Sequence, residues 1–300
     1  MRACGKITLR SFMLFTLISC LTISAAANLS AKPEPAGAAA SLAGQIVSLA
    51  GTDRGVCSIL GANDPALACA LAGEGKFVVH VIDPDQSRVE SGRKTADQQL
   101  SYGRYLCIET GEFSHLPYAD NTLDLLVASH DEVAGKLPKA EILRVLRPLG
   151  RAVIRGGKAG KGGLQDWLTD GGKIVEKPGL WAVLIKPEPA GIDDWSHWEH
   201  APDNNPVSTD KEITAPYLTQ FFGLPYYISM PAITTVAGGR TFTAVGHIAH
   251  HEREEPWLNT LIAQNGYNGT DLWMRKLPDG YLVHRSAFIA TDETFYMIDP

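Results

Sequence analysis

The stretch "SILGANDPALACALA", Ser58 to Ala72, decides the fold prediction. It opens with an apolar run typical of a buried strand and closes with an apolar run that has helical spacing. Between the two runs, Gly61 begins a tight turn that ends at Asp64, a good N-cap, and Pro65, a good first residue of a helix. The stretch therefore predicts a buried strand, a tight turn and a helix, the first βα unit of an open parallel sheet.

Strand and helix signals alternate along the chain after this unit. Short apolar runs predict strands at residues 55–60, 76–83, 104–110, 123–129, 151–157 and 179–187. Segments with helical spacing separate them, at residues 65–75, 85–100, 137–150 and, more briefly, 162–172. Apolar strands separated by helices indicate a parallel sheet covered on both faces. The sequence predicts an α/β domain with a Rossmann-like sheet over residues 43–187.

The pattern changes after residue 187. Helical periodicity disappears, Gly, Pro, Asn and aromatic residues become frequent, and strand candidates follow at residues 226–246, 258–277 and 285–299. Closely spaced strands with turn residues between them predict an all-β region. We therefore expect a second, all-β domain over residues 188–300.

The first 27 residues have the pattern of a signal peptide. A basic start (Arg2, Lys6, Arg10), an apolar run and a small-residue site at 25–27 indicate export, with no transmembrane span in the mature chain. The alternatives are a membrane anchor and a lipoprotein lipidated at Cys20. Residues 28–42 are rich in Pro and Ala and are expected to be a linker. The net charge of −6 argues against nucleic-acid binding, which needs a basic face.

Three cysteines lie after the predicted signal peptide. Cys57, Cys69 and Cys107 have apolar neighbours and do not form the pattern of a disulfide framework. We expect three small buried thiols, and the alternative is a single Cys57–Cys69 bridge.

Three carboxylates accompany the predicted strands. Asp83 ends the second strand about 20 residues after the Gly61 turn, Glu112 follows the third strand, and Asp124 opens the fourth. An acid at the position of Asp83 can accept hydrogen bonds from ribose hydroxyls. In an open α/β sheet, ligands bind at the carboxyl ends of the strands near the topological switch point. We expect the three acids to lie at that edge.

The segments "LPYADNTLDLLVASH" (116–130) and "EILRVLRPLGRAVI" (141–154) resemble the class I S-adenosylmethionine-dependent methyltransferases, and in particular the methyltransferase type 11 group. The resemblance covers residues 43–187 and implies S-adenosylmethionine as cofactor. It implies roles for these residues: Gly61, Ala62 and Asn63 at the methionine end, Asp83 on the ribose, Glu112 and Phe113 by the adenine, and Ser129 with His130 at the transfer site.

The first motif departs from this family. Ile59 stands where the family has an acid at the end of strand one, and Asn63 and Pro65 replace the second and third glycines. Asn tolerates the left-handed backbone region better than most residues, so Asn63 is a candidate substitute. His130 is the one candidate for a catalytic base.

The segment "TLIAQNGYNGTDLWMRKLPDG" (260–280) resembles a blade of the quinoprotein (PQQ)-like β-propellers, through a small-residue turn followed by a tryptophan. The matching residues are Asn265, Gly266, Gly269, Thr270 and Trp273. Residues 188–300 would form about two blades, so we expect a truncated propeller that lacks its C-terminal blades and in which a PQQ site is incomplete. The combination resembles large exported proteins of planctomycete-type bacteria.

Two histidine clusters are weak candidates for metal binding. One contains His247, His250 and His251, and the other His197 and His200. Imidazoles at such spacing suit zinc or copper, but hydrogen bonding within the fold is the favoured interpretation.

Three functions stay open from the sequence. The first is a methyltransferase acting on an unknown small-molecule or protein acceptor. The second is a catalytically inactive methyltransferase fold that serves as a structural or interaction module. The third is the front end of a quinone-linked dehydrogenase.

Overall fold

The first half of the chain forms a mixed seven-stranded sheet with helices on both faces. The computed structural model describes residues 37–73, 76–99, 101–130, 133, 136–157, 160–167, 171–176, 179–223, 230–249, 251–284 and 288–298. The elements of this half are α1 (Gly37–Ala50), β1 (Gly55–Leu60), α2 (Pro65–Leu71), β2 (Phe77–Asp83), α3 (Gln86–Gln98), β3 (Leu106–Thr110), β4 (Leu123–Ala128), α4 (Lys139–Val145), β5 (Leu146–Arg155), β6 (Lys173–Val175) and β7 (Trp181–Ile185). The predicted α/β fold is confirmed.

The strand order of this sheet is β3-β2-β1-β4-β5-β7-β6. Strands β1 to β5 pair in parallel, whereas β7 pairs antiparallel with both β5 and β6. The short strand β6 was not predicted, because its three residues are too few to give a periodic signal.

Successive residues of each strand enter two different cores, because side chains alternate across a sheet. Ile59 packs with the helices α1, α2 and α3 on one face. Leu60, the next residue, packs with Ile142 of α4 on the other face. This alternation produces the unbroken apolar runs from which the parallel sheet was predicted.

Helices α1 and α4 differ from the prediction at one boundary in particular. The helix α1 begins at Gly37, inside the segment 28–42 that was expected to be a linker, and buries Ala39, Ala43 and Ile46. Helix α4 ends at Val145 rather than continuing to residue 150. Pro148 explains the earlier end, because it disfavours helical geometry at the preceding residue and has no N–H to continue the helix.

The second half of the chain contains an antiparallel sheet and a hairpin. Strands β8 (Met230–Ala237), β9 (Arg240–Ile248), β10 (Thr260–Asn265) and β11 (Asp271–Lys276) form a meander in the order β11-β10-β9-β8. Strands β12 (Phe288–Ala290) and β13 (Phe295–Met297) form the hairpin. The all-β prediction is confirmed, and the expectation of about two propeller blades stays a prediction. The boundary at residues 187/188 stays a prediction.

The turn between β10 and β11 has the geometry expected from its residues. Gly269 has φ +74°, and its N–H donates to the Asn265 carbonyl at 2.9 Å. The ring of Trp273 lies 6.0 Å from that of Phe242, at the edge of the core of this sheet.

No disulfide joins Cys57, Cys69 or Cys107 to one another, so the alternative of a Cys57–Cys69 bridge is wrong. Cys57 and Cys69 are buried as expected, but Cys107 is partly exposed because β3 is the edge strand of the sheet. Within the described ranges, no helix has both the length and the apolar content to cross a membrane. The predicted signal peptide (1–27) and Cys20 lie outside the described residues.

Candidate functional site

The topological switch point of the sheet lies between β1 and β4. β1 has β2 on one side and β4 on the other, α2 leaves β1 on one face, and α4 packs on the opposite face. The connections after β1 and β4 therefore diverge, and open α/β sheets bind ligands in the crevice that such divergence opens at the carboxyl ends of the strands. At this edge, Gly61 begins the turn after β1 and Asp83 ends β2. Ser129 and His130 follow β4.

The turn after β1 forms as the sequence predicts. Gly61 has φ +95° and its N–H donates to the Ile82 carbonyl at 2.8 Å. Pro65 begins α2, and Asp64 caps it by accepting from the Leu67 N–H at 3.0 Å. Within this turn the left-handed backbone region is occupied by Gly61 and not by Asn63, which is exposed. Asn63 is therefore not a conformational substitute for a glycine.

Asp83 is the most heavily hydrogen-bonded side chain of this edge. It is 1% exposed, and its oxygens accept from the N–H groups of Ala62 (2.7 Å) and Asp85 (2.8 Å). The guanidinium of Arg88 donates to both oxygens, Nε to Oδ2 at 2.9 Å and Nη2 to Oδ1 at 2.8 Å. Burial raises the pKa of Asp83, but the hydrogen bonds from Arg88 and the two N–H groups outweigh it and hold the pKa below its usual value.

Sequence reasoning missed Arg88, although a signal was present. Arg88 lies in the first turn of α3, where the positive end of the helix dipole disfavours a cation. A cation at that position is favoured by carboxylate partners, and Asp83 and Asp85 are the nearest acids that precede Arg88 in sequence. Arg88 contacts both, with Nη1 lying 3.2 Å from Asp85 Oδ2.

Ser129 and His130 carry buried polar atoms without partners. The Oγ of Ser129 and the Nε2 of His130 have no solvent exposure and no hydrogen-bond partner among the described residues. Both residues directly follow β4, at the switch point. Because buried polar groups are normally hydrogen-bonded, these two atoms mark a place where a ligand can complete the bonding.

The predicted adenine-binding pair is divided by the structure. Glu112 is exposed after β3, whereas Phe113 is buried and packs in the core with Leu116 and Leu60. Phe113 therefore stabilises the wall of the crevice by packing within it.

The two segments that resemble methyltransferases are joined by a buried ion pair. Arg144 of α4 donates to Glu141 (Nη2–Oε1 2.7 Å) and to the carbonyls of Leu116 (3.0 Å) and Tyr118 (2.7 Å). Glu141 in turn accepts from the Leu116 N–H at 2.6 Å. This loop clamp, formed by Glu141 and Arg144, explains why a charged pair occurs in an otherwise apolar helix face.

The prediction for Asp124 is wrong. Asp124 lies at the amino end of β4, at the opposite edge from Asp83, because parallel strands begin at one edge and end at the other. Its buried carboxylate accepts from the Val56 N–H (2.8 Å), Arg147 Nε (2.6 Å), Asn268 Nδ2 (2.8 Å) and Thr270 Oγ1 (3.1 Å). Asp124 therefore joins the α/β sheet to the β10–β11 turn and does not belong to the ligand crevice.

The histidine clusters have structural contacts. His200 uses both ring nitrogens, Nε2 with Asp193 at 2.9 Å and Nδ1 with the Asn205 carbonyl at 3.1 Å, and His197 Nδ1 lies 2.8 Å from Ser196 Oγ. His247 and His251 are exposed, and His250 lies outside the described residues. In the described ranges, the three-residue grouping of metal-type ligands involves neither cluster; it consists of His80, Cys107 and Glu109.

No protein-family model matches the sequence, and the search of curated proteins finds no relative. Solved structures that resemble the chain include a protein assigned as an S-adenosyl-L-methionine-dependent methyltransferase from Methanococcus maripaludis, at 20% identity and a TM-score of 0.43, covering 51% of this chain and 87% of that one. An RNA methyltransferase from Salinibacter ruber in complex with S-adenosyl-L-homocysteine has 20% identity and a TM-score of 0.39, with 51% and 95% covered. A SAM-dependent methyltransferase from Aquifex aeolicus has 15% identity and a TM-score of 0.37, with 47% and 89% covered.

Proposed function

We propose that the α/β domain binds S-adenosylmethionine and is of the methyltransferase type, with an acceptor that is unknown. The observation that carries the proposal is the pair of unpartnered buried atoms, Ser129 Oγ and His130 Nε2, which follow β4 at the switch point. Asp83 would hold the ribose, and the Gly61 turn would contact the methionine end. When bound, the cofactor supplies an electrophilic methyl group. The chain's own contribution is to bind and orient it, because in-line methyl transfer depends mainly on positioning.

The fit of Asp83 to a ribose depends on Arg88. A guanidinium and a vicinal diol both offer two hydrogen-bond donors, so a carboxylate arranged for one is arranged for the other. The Arg88 side chain is 39% exposed and can be released toward solvent, while the N–H donors of Ala62 and Asp85 stay in place. We infer that ligand binding exchanges the Arg88 donors for the ribose hydroxyls.

Calorimetric titration of the 300-residue chain with S-adenosylmethionine and with S-adenosylhomocysteine tests this proposal. We expect binding that is strongly weakened in Asp83→Asn and unchanged in Asp97→Asn, an exposed acid of α3 that serves as the matched control. Ser129→Ala would weaken binding less, because it removes one hydrogen bond. Circular dichroism must first show that the natural chain and each variant are folded. If the folded natural chain then gave no heat with either ligand at millimolar concentration, the proposal would be rejected.

A second candidate is a structural module that binds no cofactor. The observation that favours it is the completeness of the Asp83 hydrogen bonding within the chain, combined with the use of Asp124 to join the two sheets. In this case the chain would show no adenosyl binding even after Arg88→Ala removes the internal competitor.

We also infer that the antiparallel region belongs to a quinoprotein-like propeller. The support is its four-stranded antiparallel meander, the number of strands in a propeller blade, with a turn at Asn265–Thr270 and Trp273 after it. The coding sequence downstream of residue 300 tests this: it should encode further blades, and a stop codon there would exclude a closed propeller. A quinone-linked dehydrogenase would require those additional blades.

We propose in addition that the chain is exported, from the sequence pattern of residues 1–27. N-terminal sequencing of the protein from the expressing bacterium should find a chain that starts near residue 28, or near Cys20 with a lipid if it is a lipoprotein. An unprocessed chain in the cytoplasm would contradict export.

A further inference from the structure

A row of polar side chains crosses the first three strands of the α/β sheet. Ser58 of β1 pairs in register with His80 of β2, and His80 pairs with Cys107 of β3. Glu109 lies two residues after Cys107, on the same face of β3 because side chains alternate. His80 lies in the middle of β2, three residues before Asp83 and on the opposite face of the sheet, whereas Glu109 lies nearer the carboxyl end of β3, in register with Ile82.

The three groups with metal-ligand chemistry in this row lie close together. His80 Nε2 is 3.3 Å from Glu109 Oε2, and Cys107 Sγ is 3.5 Å from Glu109 Oε1. One ligand atom from each of the three residues falls within 4.8 Å of the others. With Zn–N and Zn–O distances of about 2.0 Å and a Zn–S distance of about 2.3 Å, ligand atoms of a tetrahedral zinc site lie about 3.3–3.6 Å apart. The two contacts of the Glu109 carboxylate, one through each oxygen, fall within this range.

The contact between His80 and Glu109 lacks hydrogen-bond geometry. Nε2 of His80 is buried and makes no hydrogen bond, although a carboxylate oxygen lies 3.3 Å away. Two ligands of one cation approach each other in this way, because each directs its lone pair at the cation and not at the other ligand. The arrangement is less suited to a direct hydrogen bond, which requires the N–H to point at the oxygen.

Tyr118 fixes the tautomer of His80 that a metal requires. The Tyr118 hydroxyl donates to Ser58 Oγ at 2.9 Å, so its oxygen is free to accept from His80 Nδ1 at 3.0 Å. The proton of the neutral imidazole then lies on Nδ1, and the lone pair of Nε2 is available to a metal ion. Outer hydrogen-bond partners of this kind are typical of ligating histidines.

We propose that His80, Cys107 and Glu109 form a binding site for a divalent metal ion of borderline softness, with zinc as the best match. The imidazole, thiolate and carboxylate ligands are those that zinc accepts, and the exposed side of the site leaves the fourth position to water. The Sγ–H proton of Cys107 passes to solvent as the metal–sulfur bond forms.

The site would stabilise the exposed edge of the sheet. β3 is the edge strand, and Glu109 is 53% exposed, so this carboxylate gains order when it binds a metal. Because the metal ligands come from β2 and β3, an ion would join the edge strand to its neighbour. The proposal does not depend on S-adenosylmethionine binding, since none of the three ligands belongs to the crevice.

Titration of the chelator-treated 300-residue chain with zinc, in competition with a chromophoric chelator, tests the site. We expect one equivalent to bind with micromolar or tighter affinity, and His80→Gln and Cys107→Ser each to weaken binding at least about tenfold. Cobalt should give a thiolate-to-metal charge-transfer band that Cys107→Ser abolishes. The Tyr118→Phe variant should keep this band while it weakens binding, because it removes a positioning residue and leaves all three ligands.

The double variant His247→Gln, His251→Gln is the matched control, because it removes two exposed histidines of the other candidate cluster. We expect no change in zinc affinity for this variant. Circular dichroism and thermal melting confirm that each variant is folded before its affinity is compared. Zinc binding that persists in folded His80→Gln and Cys107→Ser but is lost in the control would overturn the proposal, as would a cobalt spectrum without a thiolate band.

Discussion

The guanidinium of Arg88 and the carboxylate of Asp83 form a two-point ion pair, with contacts of 2.9 and 2.8 Å, at the end of β2. The carboxylate is buried and the guanidinium is partly exposed, so the pair places a removable donor on the residue that would bind a ribose. Whether Arg88 is paired with Asp83 therefore determines whether this carboxylate is available to a ribose in the proposed site.

Replacing Arg88 with Ala should strengthen ligand binding and slightly lower the stability of the chain. Removal of the internal donor should strengthen S-adenosylmethionine binding about three- to tenfold, because a partly exposed ion pair contributes about 1 kcal/mol that the ligand no longer has to replace. Urea melts should show a small loss of stability in the absence of ligand. The exposed Lys94→Gln variant of α3 is the control for a change in charge, and equal affinities for Arg88→Ala and the natural chain would contradict the exchange of donors.

Gly61→Ala should destabilise the chain by about 1–2 kcal/mol. The residue has φ +95°, where a side chain is strained, and a Cβ would lie 3.4 Å from Val133 Cγ2. Gly73→Ala, at a position where a Cβ would meet nothing within 4 Å, is the matched control and should be close to neutral. Thermal melting distinguishes the two, and a neutral Gly61→Ala would show that the turn has a different backbone conformation.

Breaking the loop clamp should destabilise the chain more than a surface ion pair would. Arg144→Ala removes the donors to two carbonyls and leaves Glu141 buried, at an expected cost of about 2–4 kcal/mol in the free energy of unfolding. Arg104→Ala, an exposed arginine before β3, should change stability by less than about 0.5 kcal/mol. Equal effects of the two substitutions would argue against a clamp.

Acid should weaken the loop clamp in a defined pH range. The hydrogen bond from Arg144 holds the folded-state pKa of Glu141 below its ordinary value of 4.5, despite the opposing effect of burial. The stabilisation is therefore complete well above pH 4.5 and is lost as pH falls from there through the lower folded-state pKa. Urea melts between pH 6 and 3 should show a flatter acid decline for Glu141→Gln than for the natural chain. Parallel declines would exclude Glu141 as a contributor.

Introducing a negative charge at position 268 should lower stability more than shortening the Asn268 side chain does. Asn268→Ala removes hydrogen bonds to Thr122 and Asp124 and should cost about 1–2 kcal/mol. Asn268→Asp has nearly the same shape but places a carboxylate against that of Asp124, so it should be the more destabilising variant at pH 7. Thermal melts that rank Asp above Ala in stability would contradict the contact.

Local patterns were sufficient for much of the fold. The alternation of apolar strands with helices predicted the order of elements, and the Asp64-Pro65 pair predicted the start of α2 to the residue. The meander around Asn265–Thr270 was likewise predictable, because turn residues and strand alternation are properties of neighbouring positions.

The sequence by itself thus determined which segments are strands and helices, since apolar periodicity and capping depend on residues only a few positions apart. Tertiary structure alone decided which side chains meet: that Asp124 contacts Asn268 at the amino edge, that Arg88 closes on Asp83, and that His80 lies beside Cys107 and Glu109. These contacts depend on strand order and register, which are set by the packing of two whole cores. No short stretch of the chain contains that information.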